Sequence, residues 1–272
     1  MAPILTFDIE TVPDVAGIRR LNGFDADASD ADVAQFAFQA RRSRTGSDFI
    51  QHHLQRVVSI GCSLRSGDTF RVWSLGTPKD GEAELIRRFY EGVERYTPQI
   101  VSWNGGGFDL PVLHYRAMIH GIAAPRYWDM GDDNRDFRFN NYIGRYHTRH
   151  LDLMDLLAMY QARGYAPLDE LAQLCGLPGK LGMDGSQVWQ AFQDGKIDDI
   201  RNYCETDVVN TYLLFLRFQH MRGHLDEAAM KHETGLVRAT LDKAPEPHWK
   251  EFVAAWDAAS GAIPGAGTGA GA

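Results

Sequence analysis

Several things that would direct a reading are scarce in this chain. No apolar run approaches the roughly 20 residues needed to cross a bilayer, so no membrane span is expected. Only three cysteines occur among 272 residues, at positions 62, 175 and 204. Odd in number and scattered, they predict neither a disulfide framework nor a zinc site. His147 and His150 lack a metal-ligand pattern. Basic residues are in deficit, 28 Lys and Arg against 36 Asp and Glu, for a formal net charge of −8. That balance excludes a protein that coats nucleic acid by bulk electrostatics. It leaves room for an enzyme that meets nucleic acid at one local site, where bound divalent cations reverse the field. The first residues, MAPILTF, offer no basic segment ahead of an apolar stretch, so no signal peptide is expected and the cytoplasm is the expected compartment.

What is present alternates between strand-like and helix-like stretches, which predicts an α/β architecture. PILTF reads as a first buried strand. Residues 14–50 carry amphipathic segments that look helical and inserted. QRVVSIGCSL and DTFRVWSL, separated by RSGD, predict a hairpin. GEAELIRRFYEGVERY has helical periodicity, PQIVSWN is a short strand, and FDLPVLHYRAMIHG is a helix with Pro111 tolerated in its first turn. Residues 125–150 look irregular. From HLDLMDLLAMY onward the pattern is mostly helical. The Gly/Ala-rich end, residues 260–272, buries too little surface to order itself and is expected to be disordered. No internal repeat occurs. The expected organisation is one domain over 1–220 with a helical insert at about 14–50, then a helical extension over 221–259.

Carboxylates mark the candidate site. Asp8 and Glu10 follow the first apolar run two residues apart, so on a strand they share a face and repel. Asp109 follows Asn104 and three glycines that let the backbone turn sharply. It fits equally a helix N-terminal acid favoured by the dipole. Tyr203 and Asp207 lie four apart on a largely apolar helix, hence one turn from each other. A buried Asp207 needs a partner, and no Lys or Arg stands three or four residues away. Oxygen donors without histidine or cysteine suit hard cations such as Mg²⁺ or Mn²⁺. Two such ions about 4 Å apart would serve phosphodiester hydrolysis. Asp152 and Asp155 read as a helix cap and a first-turn acid. Lys180 stands in a loop that is not of the Walker type, because Leu181 follows it where Ser or Thr is required, and it would touch a backbone phosphate or be solvated. Arg41, Arg42 and Arg44, followed by His52 and His53, form the most basic local stretch, either a solvated helix face or cations for the phosphates of a strand guided by the insert.

FDIET, NGGGFD and YCETD resemble the three exonuclease motifs of the DEDD superfamily, whose fold is ribonuclease H-like. Their arrangement is similar to that of the proofreading domain of family-B DNA polymerases, with D-x-E, N-x-x-x-F-D and Y-x-x-x-D. Position 202, where the histidine branch would carry His, is Asn, which places the resemblance in the tyrosine branch. The likeness extends over roughly 3–220. LDELAQLCGLPGK and MDGSQVW are similar to stand-alone bacterial proteins of predicted 3′–5′ exonuclease type. The resemblance implies a mixed sheet flanked by helices and hydrolysis from the 3′ end of a single strand, with DNA the first candidate. It implies two divalent cations held by Asp8, Glu10, Asp109 and Asp207, with Asp8 bridging both and Asp109 binding partly through water. Tyr203 would orient the attacking water, and Asn104 and Phe108 would line the terminal nucleotides. Any polymerase or repair partner would be a separate chain. The rival readings are a nuclease-like binding module that does not cut, and a haloacid-dehalogenase-type phosphatase. The latter lacks its second Asp, replaced by Glu10, and any lysine between Lys79 and Lys180.

Overall fold

The computed structural model describes residues 2–261. Disorder is expected over 260–272: residues 260 and 261 instead end the last helix, and 262–272 lie outside the described residues. Five strands form one mixed sheet: β1 (Ile4–Pro13), β2 (Gln55–Ser66), β3 (Thr69–Ser74), β4 (Gln99–Ser102) and β5 (His150–Asp152). Their order is β3-β2-β1-β4-β5, with β2 antiparallel to β1 and β3, and β4 and β5 parallel to β1. That order and polarity is the ribonuclease H-like arrangement. The RSGD turn joins β2 to β3 as a hairpin.

The helices are α1 (Val15–Asn22), α2 (Asp30–Thr45), α3 (Glu82–Tyr96), α4 (Asp109–His120), α5 (Pro125–Trp128), α6 (Leu153–Leu157), α7 (Leu168–Leu174) and α8 (Val188–Gln193). Then follow α9 (Ile197–Met221), α10 (Glu227–Leu241) and α11 (Pro247–Gly261). Two expectations need correcting. The 125–150 stretch is not wholly irregular, since α5 lies in it. The chain after 150 starts with β5, three residues too short to carry a period-2 signal.

β1 is the central strand, and its alternation divides the core. Leu5, Phe7 and Ile9 pack against α3 and α4, through Leu85, Phe89 and Leu113. Ile4 joins the other cluster, in which α9 supplies Val209, Leu213 and Phe215. Each such side chain, fully buried, contributes roughly 1.5–3 kcal/mol. Because side chains alternate, residues 4, 6, 8 and 10 all turn toward α9. The strand does not end at Phe7 but continues through both acids to Pro13, with a bulge between Glu10 and Thr11.

Candidate active site

β4 pairs with β1 only from Ile4 to Thr6, after which the two strands part. Asp109, in the first turn of α4, enters that gap. Its Oδ1 accepts a hydrogen bond from the Ile9 amide at 3.0 Å, an amide that no neighbour in β4 satisfies. Asp109 therefore reaches the strand that carries Asp8 and Glu10 and is itself buried. From the opposite side α9 presents Tyr203 and Asp207, both buried. Four carboxylates from three elements thus converge.

The loop that delivers Asp109 differs from expectation in its cause. The left-handed residue is Asn104, at φ +64°, a conformation Asn tolerates better than other side chains. None of the three glycines has a positive φ. They serve close approach instead: a Cβ at Gly105 would lie 2.4 Å from Ser102 Oγ, and one at Gly107 2.4 Å from Asn104 Oδ1. Asp152 caps α6 as expected, through Met154 and Asp155 amides. It also accepts from the Asn104 and Gly106 amides at 3.0 and 2.8 Å, and so anchors the loop. Asp155 sits in the first turn of α6.

Electrostatics single this place out. Burial, then the charges of Asp109, Glu10 and Asp207, push the Asp8 carboxyl well above the usual range. Burial and Asp207 do the same to Glu10. Burial raises Asp109 to about 7 and Asp207 to about 6, the latter opposed by the Lys180 ammonium and the Tyr203 hydroxyl. Among the described residues, Asp207 Oδ1 is buried with no hydrogen-bond donor. An orphaned carboxylate oxygen among three more acids is the donor set of a hard cation, so these residues fit divalent metal.

The expectation that Asp207 has no cationic neighbour holds along its helix and fails in space. Lys180 Nζ donates to Tyr203 Oη at 2.7 Å and lies 3.9 Å from Asp207 Oδ2. The lysine arrives on the loop after α7. That loop is pinned by Asn210 Nδ2 to the Gly179 carbonyl and by the Lys180 amide to Asp169. Sequence spacing carries no signal of this, because 23 residues separate Lys180 from Tyr203.

Cys204, which the sequence reading gives no role, lies beneath the carboxylates. One ligand atom each from Asp8, Glu10 and Cys204 lies within 4.8 Å of the others. Burial and the Asp8 charge hold the thiol far above its ordinary range, so it stays protonated. Its S–H faces the Asp8 carbonyl and Oδ2 at 3.4 and 3.6 Å, and its sulfur accepts the Gly61 amide at 3.1 Å. It braces Asp8.

Of the remaining sequence candidates, Phe108 packs against Phe49 and His52, with ring centroids 5.3 and 5.7 Å away. Arg41 Nε donates to the Phe49 carbonyl at 3.0 Å, so this arginine belongs to the same corner. Arg42 pairs with Asp48, and Arg44 is exposed in the last turn of α2. The insert therefore touches the site through Phe49 and the segment just after it through His52. Sequence reasoning misses the first and counts the second only as part of a basic stretch, since neither sits at a motif spacing.

A family described as predicted 3′–5′ exonuclease related to the exonuclease domain of PolB matches residues 47–256. The match begins after β1, so Asp8 and Glu10 lie outside it. Similar curated proteins include a DNA polymerase epsilon catalytic polypeptide of Saccharomyces cerevisiae, 26% identical over 148 residues, or 52% of this chain and 6% of that protein. A DNA polymerase of Archaeoglobus fulgidus is 24% identical over 170 residues, 59% of this chain and 21% of that one. The chain thus spans a small part of the length of the relatives it matches. Among solved structures, the family B DNA polymerase of Pyrobaculum calidifontis superposes with a TM-score of 0.47 at 18% identity, covering 78% of this chain and 24% of that one. Among the described residues, no helix is long and apolar enough to cross a membrane.

Proposed function

The chain belongs to the family of predicted 3′–5′ exonucleases related to the exonuclease domain of PolB, and from that premise we propose that it removes nucleotides from the 3′ end of single-stranded nucleic acid, DNA first. The observation that carries this reading is the excess of buried carboxylate around the orphaned Asp207 Oδ1. Asp8, Glu10, Asp109 and Asp207 would hold two divalent cations, Mg²⁺ or Mn²⁺. Bound there, such ions supply charge neutralisation at the scissile phosphate and a more acidic water.

The other groups are assigned by what they can donate. Burial and the acids around it hold the Tyr203 phenol far above its ordinary range, so it stays neutral. Its oxygen accepts from Lys180, which directs its own O–H away from the lysine and toward a water or Asp207. We assign Tyr203 the orientation of the attacking water. Lys180, one third exposed, keeps ammonium protons to offer a phosphate oxygen. Asn104 and Phe108 would line the terminal nucleotides. Arg41, Arg42 and Arg44 would meet the strand's phosphates in a sequence-independent, salt-sensitive way. Arg41 leads, because of the three it is the one tied to the Phe49–Phe108 corner.

The test is direct: purified protein with end-labelled single-stranded DNA or RNA, in Mg²⁺, Mn²⁺ or chelator. The expected result is metal-dependent shortening from the 3′ end. A ladder that ignores chelator, or shortening from the 5′ end, would overturn the reading.

A further inference from the structure

A cavity of about 460 Å³ shares the Gly106–Gly107 wall of the loop that positions Asp109, yet none of the four catalytic carboxylates lines it. Its chemistry is unlike that of the metal site. The charges at its edge are already spent. Asp152 is occupied by the Asn104 and Gly106 amides, and Asp155 by the Tyr165 hydroxyl at 2.6 Å and by Arg145 at 3.8 Å. His114 and His150, which burial pushes down to about 4, are neutral at pH 7. Among the described residues, no uncompensated cation stands at its depth for a phosphate, and no excess of acid for a metal.

Flat groups are what remain. The Arg145 guanidinium lies over the Tyr160 ring, 4.5 Å from its centroid, and Tyr146 meets the same ring edge-on at 5.2 Å. The Tyr160 hydroxyl donates to the Arg145 carbonyl at 3.2 Å, clasping the two loops that bear them. Tyr160 and its neighbour Met159 both sit in the left-handed region, at φ +58° and +51°, which is uncommon for side chains of this size. Tyr160 and Arg145 both line the neutral hollow, with Tyr160 half-buried at its edge. Arg145 and Tyr146 are both exposed.

We propose that this cavity is a stacking subsite for one unpaired base of the strand being degraded, with Tyr160 and Arg145 as its platform. The proposal rests on the exonuclease reading and adds to it a contact that recognises bases rather than phosphates. A base is flat and uncharged, and so needs no counter-charge from a hollow whose acids are already paired. Stacking on tyrosine and guanidinium faces tolerates any sequence. A base held in a duplex cannot enter such a hollow, so the subsite selects single strands.

The experiment uses the full chain with Mg²⁺ and a short single strand whose 3′ linkages are phosphorothioates, resistant to hydrolysis. A 2-aminopurine is placed in turn at each of the last positions. Wild type should quench one position selectively and lose affinity when that position is abasic. Tyr160→Ala and Arg145→Ala should each abolish the selective quench and weaken binding on the order of tenfold, while Tyr160→Phe, which keeps the ring, retains both. Turnover of thymidine 5′-monophosphate p-nitrophenyl ester by the wild type reports the reaction without a strand, and far-UV circular dichroism unchanged in all three variants reports an intact fold. If wild type binds and cuts but both alanine variants quench and bind like it, the subsite is wrong and the exonuclease stands. If wild type neither binds the strand nor turns over the ester, the exonuclease reading fails and the subsite with it.

Discussion

Two buried acidic clusters in this molecule differ in where their counter-charge comes from. In the first, Arg116 is only 3% exposed and its guanidinium reaches Glu82 with two nitrogens, at 2.8 and 2.5 Å, and Asp14 with a third, at 2.6 Å. Glu82 also accepts the Val57 amide at 2.7 Å and faces His120 at 2.6 Å. Asp14 caps α1, so this cluster ties the entrance of the insert to α3 and α4. In the second, Asp8, Glu10, Asp109 and Asp207 share one lysine, 3.9 Å from its nearest carboxylate, and one oxygen has no donor among the described residues. Arginine's rigid fork makes a closed, self-sufficient pairing, whereas a partly exposed lysine leaves charge over. The chain can neutralise buried acid where structure alone is at stake. At the second cluster, among the described residues, it leaves charge uncompensated.

The largest effect expected from breaking this contrast is at Asp8. Asp8→Ala should abolish metal-dependent hydrolysis while far-UV circular dichroism stays unchanged, because it removes the acid on which the other charges converge. Wild-type turnover in that variant would remove the metal assignment. Next comes the closed cluster. Arg116→Met should cost about 3–5 kcal/mol in urea unfolding, since it takes the guanidinium from buried Glu82 and half-buried Asp14. A loss under about 1 kcal/mol would mean that water replaces the guanidinium and the cluster is not closed. For the fold, the two substitutions should act in opposite senses. Removing an acid from the open cluster should stabilise the metal-free protein.

The pH dependence of the metal-free protein sharpens the same point. Unfolded carboxyls release their protons near about 4, while folded Asp207 and Asp109 hold theirs to about 6 and about 7. Between these values the folded state binds more protons than the unfolded one, so this contribution to stability falls as pH rises through about 4 to 7. Thermal melts in chelator should show the decline. Mg²⁺ or Mn²⁺ added at pH 7 should reverse it, and Asp109→Asn should flatten it. A melting temperature indifferent to pH and metal would show that the four acids are not a strained set.

Tyr203→Phe probes the lysine. It deletes the oxygen that receives the Lys180 proton without touching a carboxylate. The rate should fall on the order of 10²-fold with metal dependence unchanged. A changed metal titration at an unchanged maximal rate would assign Tyr203 to support of the site rather than to the water.

Much of the site is legible in the sequence because it obeys local periodicities. Asp8 and Glu10 share a face through the two-residue repeat of a strand, and Tyr203 and Asp207 through the turn of a helix. The hairpin of β2 and β3, the α4 start at Asp109 and the cap at Asp152 follow from short-range rules as well. Where sequence and structure part, long-range contact decides. Asp207 finds its lysine on a loop well before its own helix, and Cys204 finds Asp8 through the packing of α9 onto β1. β5 is illegible because a short run leading into a helix carries no period, and only pairing with β4 makes it a strand.

What the sequence by itself determined was the order of most elements, the alternation that aims two acids at one face, and a set of oxygen donors proposed for a hard cation. What only the tertiary structure decided was which buried acids are neutralised from within and which are not. Charge composition along the chain is the same kind of information for Glu82 as for Asp207. The difference is a desolvation and a counter-charge, and both are set by what folds against the carboxylate: an arginine fork from α4 in one case, an apolar helix and a distant lysine in the other.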